Sequence, residues 1–280
     1  MTRFDRRHLI TSGAAAALLA ATGATAARSP KRGGQFRIAL SGAARSDNWW
    51  SDGLFMQVAR GAVFETLTEL APDGTLRGNV AVQWTTKDAV NWLFDLTPDV
   101  RFHDGLPLVA DDITASLSDP SLNIQTIEMR RDRLRIVLNA PNPSLPYALA
   151  DPRHALRAAA MNRQGIGTGL YVVDRFRAGQ SFAATRIDRH CKDGFEGWFE
   201  QIEMTSIPSE TVRQEALRDG FVDVADVTAL DAYCDPSEFH CLPSRHDTSH
   251  VVHQSIALPP HLGQTWPLDN LAMTRRWWKA

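Results

Sequence analysis

The sequence has no excess of basic residues. Lysine and arginine together number 30 against 32 aspartates and glutamates, which gives a net charge of −2 with neutral histidines. A protein that binds nucleic acid normally presents a basic face, so this balance argues against nucleic acid as a partner. The hydrophobic content of 44% and the charged content of 22% are ordinary for a globular chain that can bury a full core.

Cysteine is also scarce, since the chain contains only Cys191, Cys234 and Cys241. Cys234 and Cys241 lie close together in a proline-containing segment and could form a disulfide, which would leave Cys191 free. Free thiols at both positions are about equally compatible with the sequence, so both interpretations stay open.

A recognisable enzyme nucleophile is absent as well. No serine or cysteine lies in an elbow of the Gly-x-Ser-x-Gly type. The pair His103-Asp104 is followed by Gly105, which is typical of a turn in which the aspartate bonds its own backbone. We therefore expect no catalytic site, and no cofactor is implied.

The first 27 residues, Met1 to Ala27, have the composition of an export signal. A charged start precedes an alanine-rich apolar middle, and Ala24-Thr25-Ala26 supplies small residues for cleavage. The charged start consists of Arg3, Arg6 and Arg7. The segment is too short and too weakly apolar to predict a membrane-spanning helix.

The adjacent Arg6-Arg7 resembles a twin-arginine signal, which exports proteins already folded. Asp5 and Thr11 depart from the usual residues of that signal, so a general secretory signal is the alternative. Both signals predict the periplasm as the destination. Three of the 30 basic and one of the 32 acidic residues lie in this signal, so the remainder, Arg28 to Ala280, has a net charge of −4.

The stretch from Trp84 to Leu117 predicts a strand, a tight turn and a helix. Apolar residues alternate with other residues, as in a half-buried strand. The inward-facing residues are Trp92, Phe94 and Leu96. Asp104-Gly105 marks the turn, and Asp111-Asp112 lies where the start of a helix favours negative charge. Asp119-Pro120 should end that helix within about two turns.

Farther along, Ile124 to Met129 and Arg133 to Leu138 predict an antiparallel hairpin. Its arginines suggest a phosphate site, but charges on the outer face of a hairpin usually meet only water, and we favour that interpretation. These arginines are Arg130, Arg131, Arg133 and Arg135.

The run Gly165-Ile-Gly-Thr-Gly169 superficially matches a dinucleotide-binding loop. That loop needs a strand before it and a helix after it, so that the pyrophosphate meets helix N–H groups. Here an alanine-rich segment precedes the glycines, and a predicted strand starting at Tyr171 follows them. The context therefore argues against nucleotide binding.

Three motifs occur in the order found in one known family. The first is Val100-x-Phe-His-Asp-Gly-x-Pro-x-x-Ala-x-Asp112 after an aromatic strand, and the second is Gly167-Thr-Gly-Leu-Tyr171, with Leu170 in place of proline. The third is a helix closed by Gly220 and followed by Phe221-Val-Asp-Val-Ala-Asp226. With these motifs the chain resembles the extracytoplasmic solute-binding proteins of family 5, which are dipeptide, oligopeptide and nickel receptors of ABC importers.

This resemblance implies an α/β lobe of the type II periplasmic-binding-protein kind, with a mixed β-sheet and flanking helices, over Arg28 to Ala280. Family members hold a ligand between two lobes that close on it. Here Pro259-Pro260 leads almost at once to a segment that resembles a family C-terminal tail, so we expect the second lobe to be missing. One lobe offers half a cleft, and self-association or another protein would have to supply the other wall.

The resemblance also implies a function as the periplasmic substrate-binding component of a peptide-type ABC transporter. Its partners would be a small peptide or another small solute, and the ABC permease subunits. The family's loop after the first strand faces the ligand cleft, so Trp49 and Trp50 could stack on a ligand, although we favour the alternative that they plug the surface of the lobe. His250 and His253 are the other candidate ligand-binding residues.

Two further functions stay open. The lobe could be an accessory protein or a decayed paralogue without a transport function, or it could be a metal-binding periplasmic protein. Six potential metal ligands lie within twenty residues, namely Cys234, His240, Cys241, His246, His250 and His253. Their spacing does not match a standard zinc framework, and His250 and His253 should point to opposite faces of a strand, so a metal site is the minor alternative.

Overall fold

Two larger β-sheets, two two-stranded ladders and short flanking helices make up the part of the chain that the computed structural model describes. The described residues are 30–42, 48–51, 53–71, 74–160, 165–228, 237–242, 249–257 and 278–279. The predicted export signal lies outside these residues. No helix among them is long and apolar enough to cross a membrane.

The strands are β1 Gln35–Leu40, β2 Thr68–Leu70, β3 Leu76–Gly78, β4 Ala81–Thr86, β5 Asn91–Leu96, β6 Ile124–Arg130, β7 Arg133–Leu138, β8 Tyr171–Arg177, β9 Ser181–Arg186, β10 Gln201–Ser206, β11 Val224–Val227, β12 Phe239–Leu242, β13 Ser249–His253, β14 Ile256–Ala257 and β15 Trp278–Lys279. The helices are α1 Leu54–Val63, α2 Ala110–Ser116, α3 Leu145–Ala148 and α4 Glu210–Arg218. β2 pairs with β3 and β14 pairs with β15 as short antiparallel ladders.

The larger sheet has seven strands in the order β12-β13-β11-β1-β10-β9-β8. Its central strand, β1, runs parallel to both neighbours, and the other pairs are antiparallel. The alternation of β1 places Phe36, Ile38 and Leu40 in one core with the apolar side of α1. Ala39 faces the other side of the sheet, where Leu217 of α4 packs. The mixed sheet with flanking helices confirms the predicted fold class.

The smaller sheet has four antiparallel strands in the order β4-β5-β7-β6. The predicted inner face of β5 is confirmed, because Trp92, Phe94 and Leu96 are all at most 4% exposed. Ile113 of α2 belongs to the same core. This sheet therefore has a core of its own beside that of the larger sheet.

Arginines cover the outer face of the small sheet. The Arg133 guanidinium lies 3.2 Å from the Asp95 carboxylate, and that of Arg135 lies 3.9 Å from Glu128. Both arginines are largely exposed. The sequence analysis expected these charges to meet only water, whereas both arginines also form surface ion pairs, and each such pair contributes little stability.

Helix α2 begins and ends as its sequence predicts. The Asp112 carboxylate accepts a hydrogen bond from the Val109 N–H at 3.1 Å, and its second oxygen accepts one from the Ala159 N–H at 2.8 Å. The helix ends at Ser116, just before Asp119-Pro120. Asp112 thus joins the start of α2 to the segment that follows Arg157.

The glycine-rich run is a close backbone contact. The Gly169 N–H donates to the Val63 carbonyl at 2.9 Å, and a Cβ on Gly167 would lie only 2.0 Å from that same oxygen. His103 holds the run from the other side, since its Nε2 lies 2.8 Å from the Gly169 carbonyl. β8 follows the run, as predicted, where a dinucleotide-binding loop would need a helix.

The turn beside His103 also forms as predicted. Asp104 accepts a hydrogen bond from the Leu106 N–H at 3.2 Å, and Gly105 has a φ of +82°. Such a φ favours glycine. Asp104 therefore stabilises the turn, and His103 contacts the backbone of the glycine-rich run.

Candidate functional site

A cavity of about 320 Å³ opens beside Trp49 and Trp50. Its volume falls within the range of small-molecule sites. The lining residues come from the loop before α1, the end of α1 and the segment after Leu156. They include Asn48, Trp49, Trp50, Phe64, Arg157 and Gly165.

Trp50 forms the most accessible aromatic wall of this cavity. Its backbone N–H donates to the Asn48 side chain at 3.0 Å, which shapes the turn, and its indole N–H donates to the Arg153 carbonyl at 3.2 Å. One edge of the indole packs against Phe64, with ring centroids 5.1 Å apart. These contacts fix the ring while leaving the residue half-buried, so part of its surface is open to the cavity.

Arg157 lies against the same indole. Its guanidinium carbon is 4.8 Å from the centre of the Trp50 ring, which is the geometry of a cation–π contact. One guanidinium nitrogen donates to the Ala115 carbonyl at 3.0 Å. The Arg157 backbone N–H donates to the Ser116 hydroxyl at 2.9 Å, so the end of α2 positions the residue.

The sequence analysis did not identify Arg157 as a site residue. It lies more than a hundred residues after Trp50 in a segment without a motif, and no spacing links the two. The fold brings them together. A basic residue in a short alanine-rich segment was the only signal, and that signal is weak.

Trp49 has a different environment from its neighbour. It is 5% exposed and packs against Phe64, Phe176 and Phe182, with ring centroids 5.1–6.2 Å apart. The buried Arg60 donates to the Trp49 carbonyl at 3.0 Å. Trp49 therefore packs mainly in the hydrophobic core, beneath the cavity.

The structure does not bring His250 and His253 to this cavity. His250 is 2% exposed and lies opposite Asp226 in the β11–β13 ladder. Burial lowers the pKa of His250 to about 4, against the raising effect of the Asp226 charge. His253 Nδ1 lies 2.8 Å from the Ser255 hydroxyl, and its ring packs edge-on against Phe239. A ligand-binding role for these two histidines stays a prediction.

The cysteine predictions fall partly outside the described residues. Cys191 and Cys241 are exposed and form no disulfide with another described residue, whereas Cys234 is not among the residues that the structure describes. The disulfide between Cys234 and Cys241 therefore stays a prediction. Within the described ranges, no group of three or more histidine, cysteine, aspartate or glutamate side chains could hold a metal ion.

The mixed seven-stranded sheet and its flanking helices define the fold of a lobe of the type II periplasmic-binding-protein kind. A family model described as bacterial extracellular solute-binding proteins, family 5 Middle, matches residues 75–233. The chain belongs to this family.

Solved structures share the fold. The PBP AgaA from A. tumefaciens R10, in complex with agropinic acid, is similar with a TM-score of 0.66 and 23% identity, over 75% of this chain and 48% of that chain. The murein tripeptide binding protein MppA of Escherichia coli has a TM-score of 0.66 and 17% identity, over 78% of this chain and 51% of that chain. At these identities the likeness shows the fold alone.

One relative is named as a transcriptional regulator and not as a solute-binding protein. The HTH-type transcriptional regulator SgrR of Pectobacterium atrosepticum is 33% identical over 138 residues, which are 45% of this chain and 25% of that protein. The chain therefore spans about half the length of the two solved structures and matches a quarter of this relative.

Proposed function

We propose that this chain is the substrate-binding component of a peptide-type ABC importer and that the Trp50–Arg157 cavity contacts the solute. The main support for this site is the contact between the Arg157 guanidinium and the Trp50 indole, which lies at the wall of a cavity of about 320 Å³. Family membership supports the transport role. The agropinic acid bound to AgaA and the murein tripeptide in the name of MppA support a small solute.

The ligand would carry a carboxylate. Arginine has five N–H donors, and the Arg157 guanidinium makes one hydrogen bond, to the Ala115 carbonyl, within the described residues. The remaining donors suit a carboxylate, which arginine binds through two parallel hydrogen bonds. The exposed part of the indole offers a flat apolar surface for the rest of the solute.

Calorimetric titration of the full chain with tripeptides and carboxylate-bearing opines tests this function. The affinity of the best ligand should fall about tenfold or more in Arg157→Gln, because a charge-assisted hydrogen bond is lost. Arg133→Gln is the matched control, since this arginine is 80% exposed on the outer face of the small sheet. Equal affinity in wild type and Arg157→Gln, with both folded, would overturn the proposed site.

We further propose that a second molecule covers the cavity when the solute binds, with a second copy of this chain as the simplest candidate. The described residues line one wall, and good small-molecule sites bury most of their ligand. Light scattering at saturating tripeptide should show twice the mass of the ligand-free chain. A monomer that binds the solute with submicromolar affinity would contradict this proposal.

We also propose that the chain acts in the periplasm and that Met1 to Ala27 directs its export. The structurally similar MppA is a periplasmic murein tripeptide binding protein, which supports this location. Replacing Arg6-Arg7 with two lysines should abolish processing if the twin-arginine route is used. Full-length protein that stays in the cytoplasm of wild-type cells would refute the export signal.

A second candidate function is solute sensing without transport, as an accessory protein. The similarity to SgrR supports this candidate. SgrR is named as a transcriptional regulator, so a segment related to this chain also occurs in a protein that is not named as a transport receptor. Deletion of the gene separates the two candidates. Loss of solute uptake supports the importer component, whereas normal uptake with an altered response to the solute supports the sensor.

A further inference from the structure

The cavity beside Trp50 combines one positive charge with a largely apolar lining. Among the described residues that line it, Arg157 is the only one with a charged side chain. Beside the Trp50 indole, rings and methyl groups form most of the wall, and these belong to Trp49, Phe64, Ala115, Ala158, Ala159 and Ala160. A charged group that enters such a lining loses its water, which is costly unless an opposite charge or a hydrogen-bond partner replaces it.

The Arg157 guanidinium is a partly buried cation that has no counter-charge within the described part of the chain. Its contacts with the Ala115 carbonyl at 3.0 Å and with the Trp50 ring hold it in place. Burial lowers the pKa of Arg157, because the charged form loses hydration. A solute carboxylate would replace the lost interactions, so the cavity favours the anionic end of a solute.

An ammonium group meets the opposite conditions in this cavity. A cation binds well on the face of an indole, but the Arg157 guanidinium already lies over the Trp50 ring at 4.8 Å. In a free amino acid the ammonium group is on the carbon next to the carboxylate, so binding of that carboxylate to Arg157 would bring two cations close together. Alanine methyl groups and the Phe64 ring cannot accept strong hydrogen bonds from the ammonium. It would therefore lose hydration and gain repulsion.

We infer, on the basis of the proposed solute site, that this cavity selects a carboxylate whose neighbouring nitrogen is acylated. Acylation turns the ammonium into an amide, which is neutral and costs less to bury. The carboxyl-terminal residue of a peptide and an N-acyl amino acid both have this chemistry, whereas a free amino acid does not. A peptide accordingly enters with its carboxyl end at Arg157 and leaves its amino end outside the cavity.

Three small compounds separate the effects of the two charges. Phenylalanine, N-acetylphenylalanine and N-acetylphenylalanine amide share one benzyl group and carry both charges, only the negative charge and neither charge. Calorimetry with the full chain should rank N-acetylphenylalanine first. Phenylalanine should bind about tenfold or more weakly, because its ammonium is desolvated beside a cation. The amide should also bind about tenfold more weakly, because it loses the charge-assisted hydrogen bonds to Arg157.

The pattern of the three affinities shows which claim fails. Equal affinities of phenylalanine and N-acetylphenylalanine, both above that of the amide, would overturn the selection against the ammonium and leave the carboxylate site at Arg157 standing. An amide that binds as tightly as the acid would remove the carboxylate site itself, and the selection with it. Failure of all three compounds to bind would have the same consequence.

Two tripeptides of identical composition and charge test the orientation. Glycyl-glycyl-phenylalanine has its ring beside the carboxylate, whereas phenylalanyl-glycyl-glycine has its ring beside the ammonium. With the carboxylate at Arg157, the first peptide places its ring next to the half-buried Trp50 indole. It should therefore bind about fivefold or more tightly than its isomer. Equal affinities, or a preference for phenylalanyl-glycyl-glycine, would contradict this orientation.

An added carboxylate should relax the selection. Ala160→Asp places a negative charge on an exposed part of the cavity wall, where an ammonium group can meet it. The affinity of N-acetylphenylalanine relative to that of phenylalanine should then fall about threefold or more. Leu93→Asp is the matched control, because it adds the same charge at a side chain that is 52% exposed on the outer face of the small sheet. A ratio that changes equally in both variants, or in neither, would overturn the selection by this lining.

Discussion

At the scale of single residues, Gly167 shows how closely two backbone segments approach each other. A Cβ at this position would lie 2.0 Å from the Val63 carbonyl oxygen and 2.7 Å from its carbon. A backbone group cannot swing aside as the end of a flexible side chain can. Gly167→Ala should therefore lower the free energy of unfolding by about 1–3 kcal/mol or more, which is the usual cost of overpacking.

The midpoint of urea unfolding would report this loss. Gly42→Ala is the matched control, because no atom of a described residue lies within 4 Å of the position that its Cβ would take. We expect the control to change stability by less than about 0.5 kcal/mol. Equal midpoints for the two variants would contradict the close contact.

The buried His250 should make stability depend on pH. Its pKa is lowered to about 4 in the folded protein, whereas an unfolded histidine titrates near 6.5. Between these values the unfolded chain binds more protons, so stability should rise with pH from about 4 to 6.5 and is lost as pH falls through this interval. The effect is at most roughly 3 kcal/mol.

Unfolding measured at pH 5.0 and 7.0 in wild type and His250→Gln would test this dependence. The variant should have a smaller difference between the two pH values. His253→Gln is the control, since this half-buried ring bonds to Ser255. A wild-type pH dependence that survives unchanged in His250→Gln would assign it to other groups.

At the scale of elements, α2 and the segment after it depend on one carboxylate. Asp112 accepts hydrogen bonds from the N–H groups of Val109 and Ala159, so it caps the helix and holds the segment that carries Arg157. Asp112→Ala should cost about 1–2 kcal/mol of stability, the usual range for a lost cap. It should also weaken solute binding, because Arg157 loses part of its support.

Thermal unfolding and calorimetry measure these two effects. Asp111→Ala is the matched control, because it removes an exposed carboxylate from the same helical turn. We expect this control to keep both stability and affinity near the wild-type values. A similar loss in both variants would mean that charge at the helix start, rather than the two hydrogen bonds of Asp112, is responsible.

Much of this element structure could be predicted from the sequence, because it follows from local pattern. Alternation predicts the buried face of β5, and Asp112 predicts the start of α2. The functional geometry could not be predicted in this way. Arg157 meets Trp50 only after more than a hundred residues of chain have folded between them. Such contacts depend on the packing of two sheets and leave no periodic signal.

At the scale of the whole molecule, the described residues form one lobe with a cavity beside Trp50. The chain spans about half the length of the solved structures to which it is similar. The cavity at Trp50 would receive the solute. Burial of Trp49 beneath the cavity gives that site a rigid floor.

A crystal structure of the full chain with its best-binding tripeptide or opine would show directly whether Trp50 and Arg157 hold the solute. We expect the solute within about 4 Å of the Trp50 ring, with its carboxylate on the Arg157 guanidinium. A bound solute that contacts neither residue would refute the proposed site.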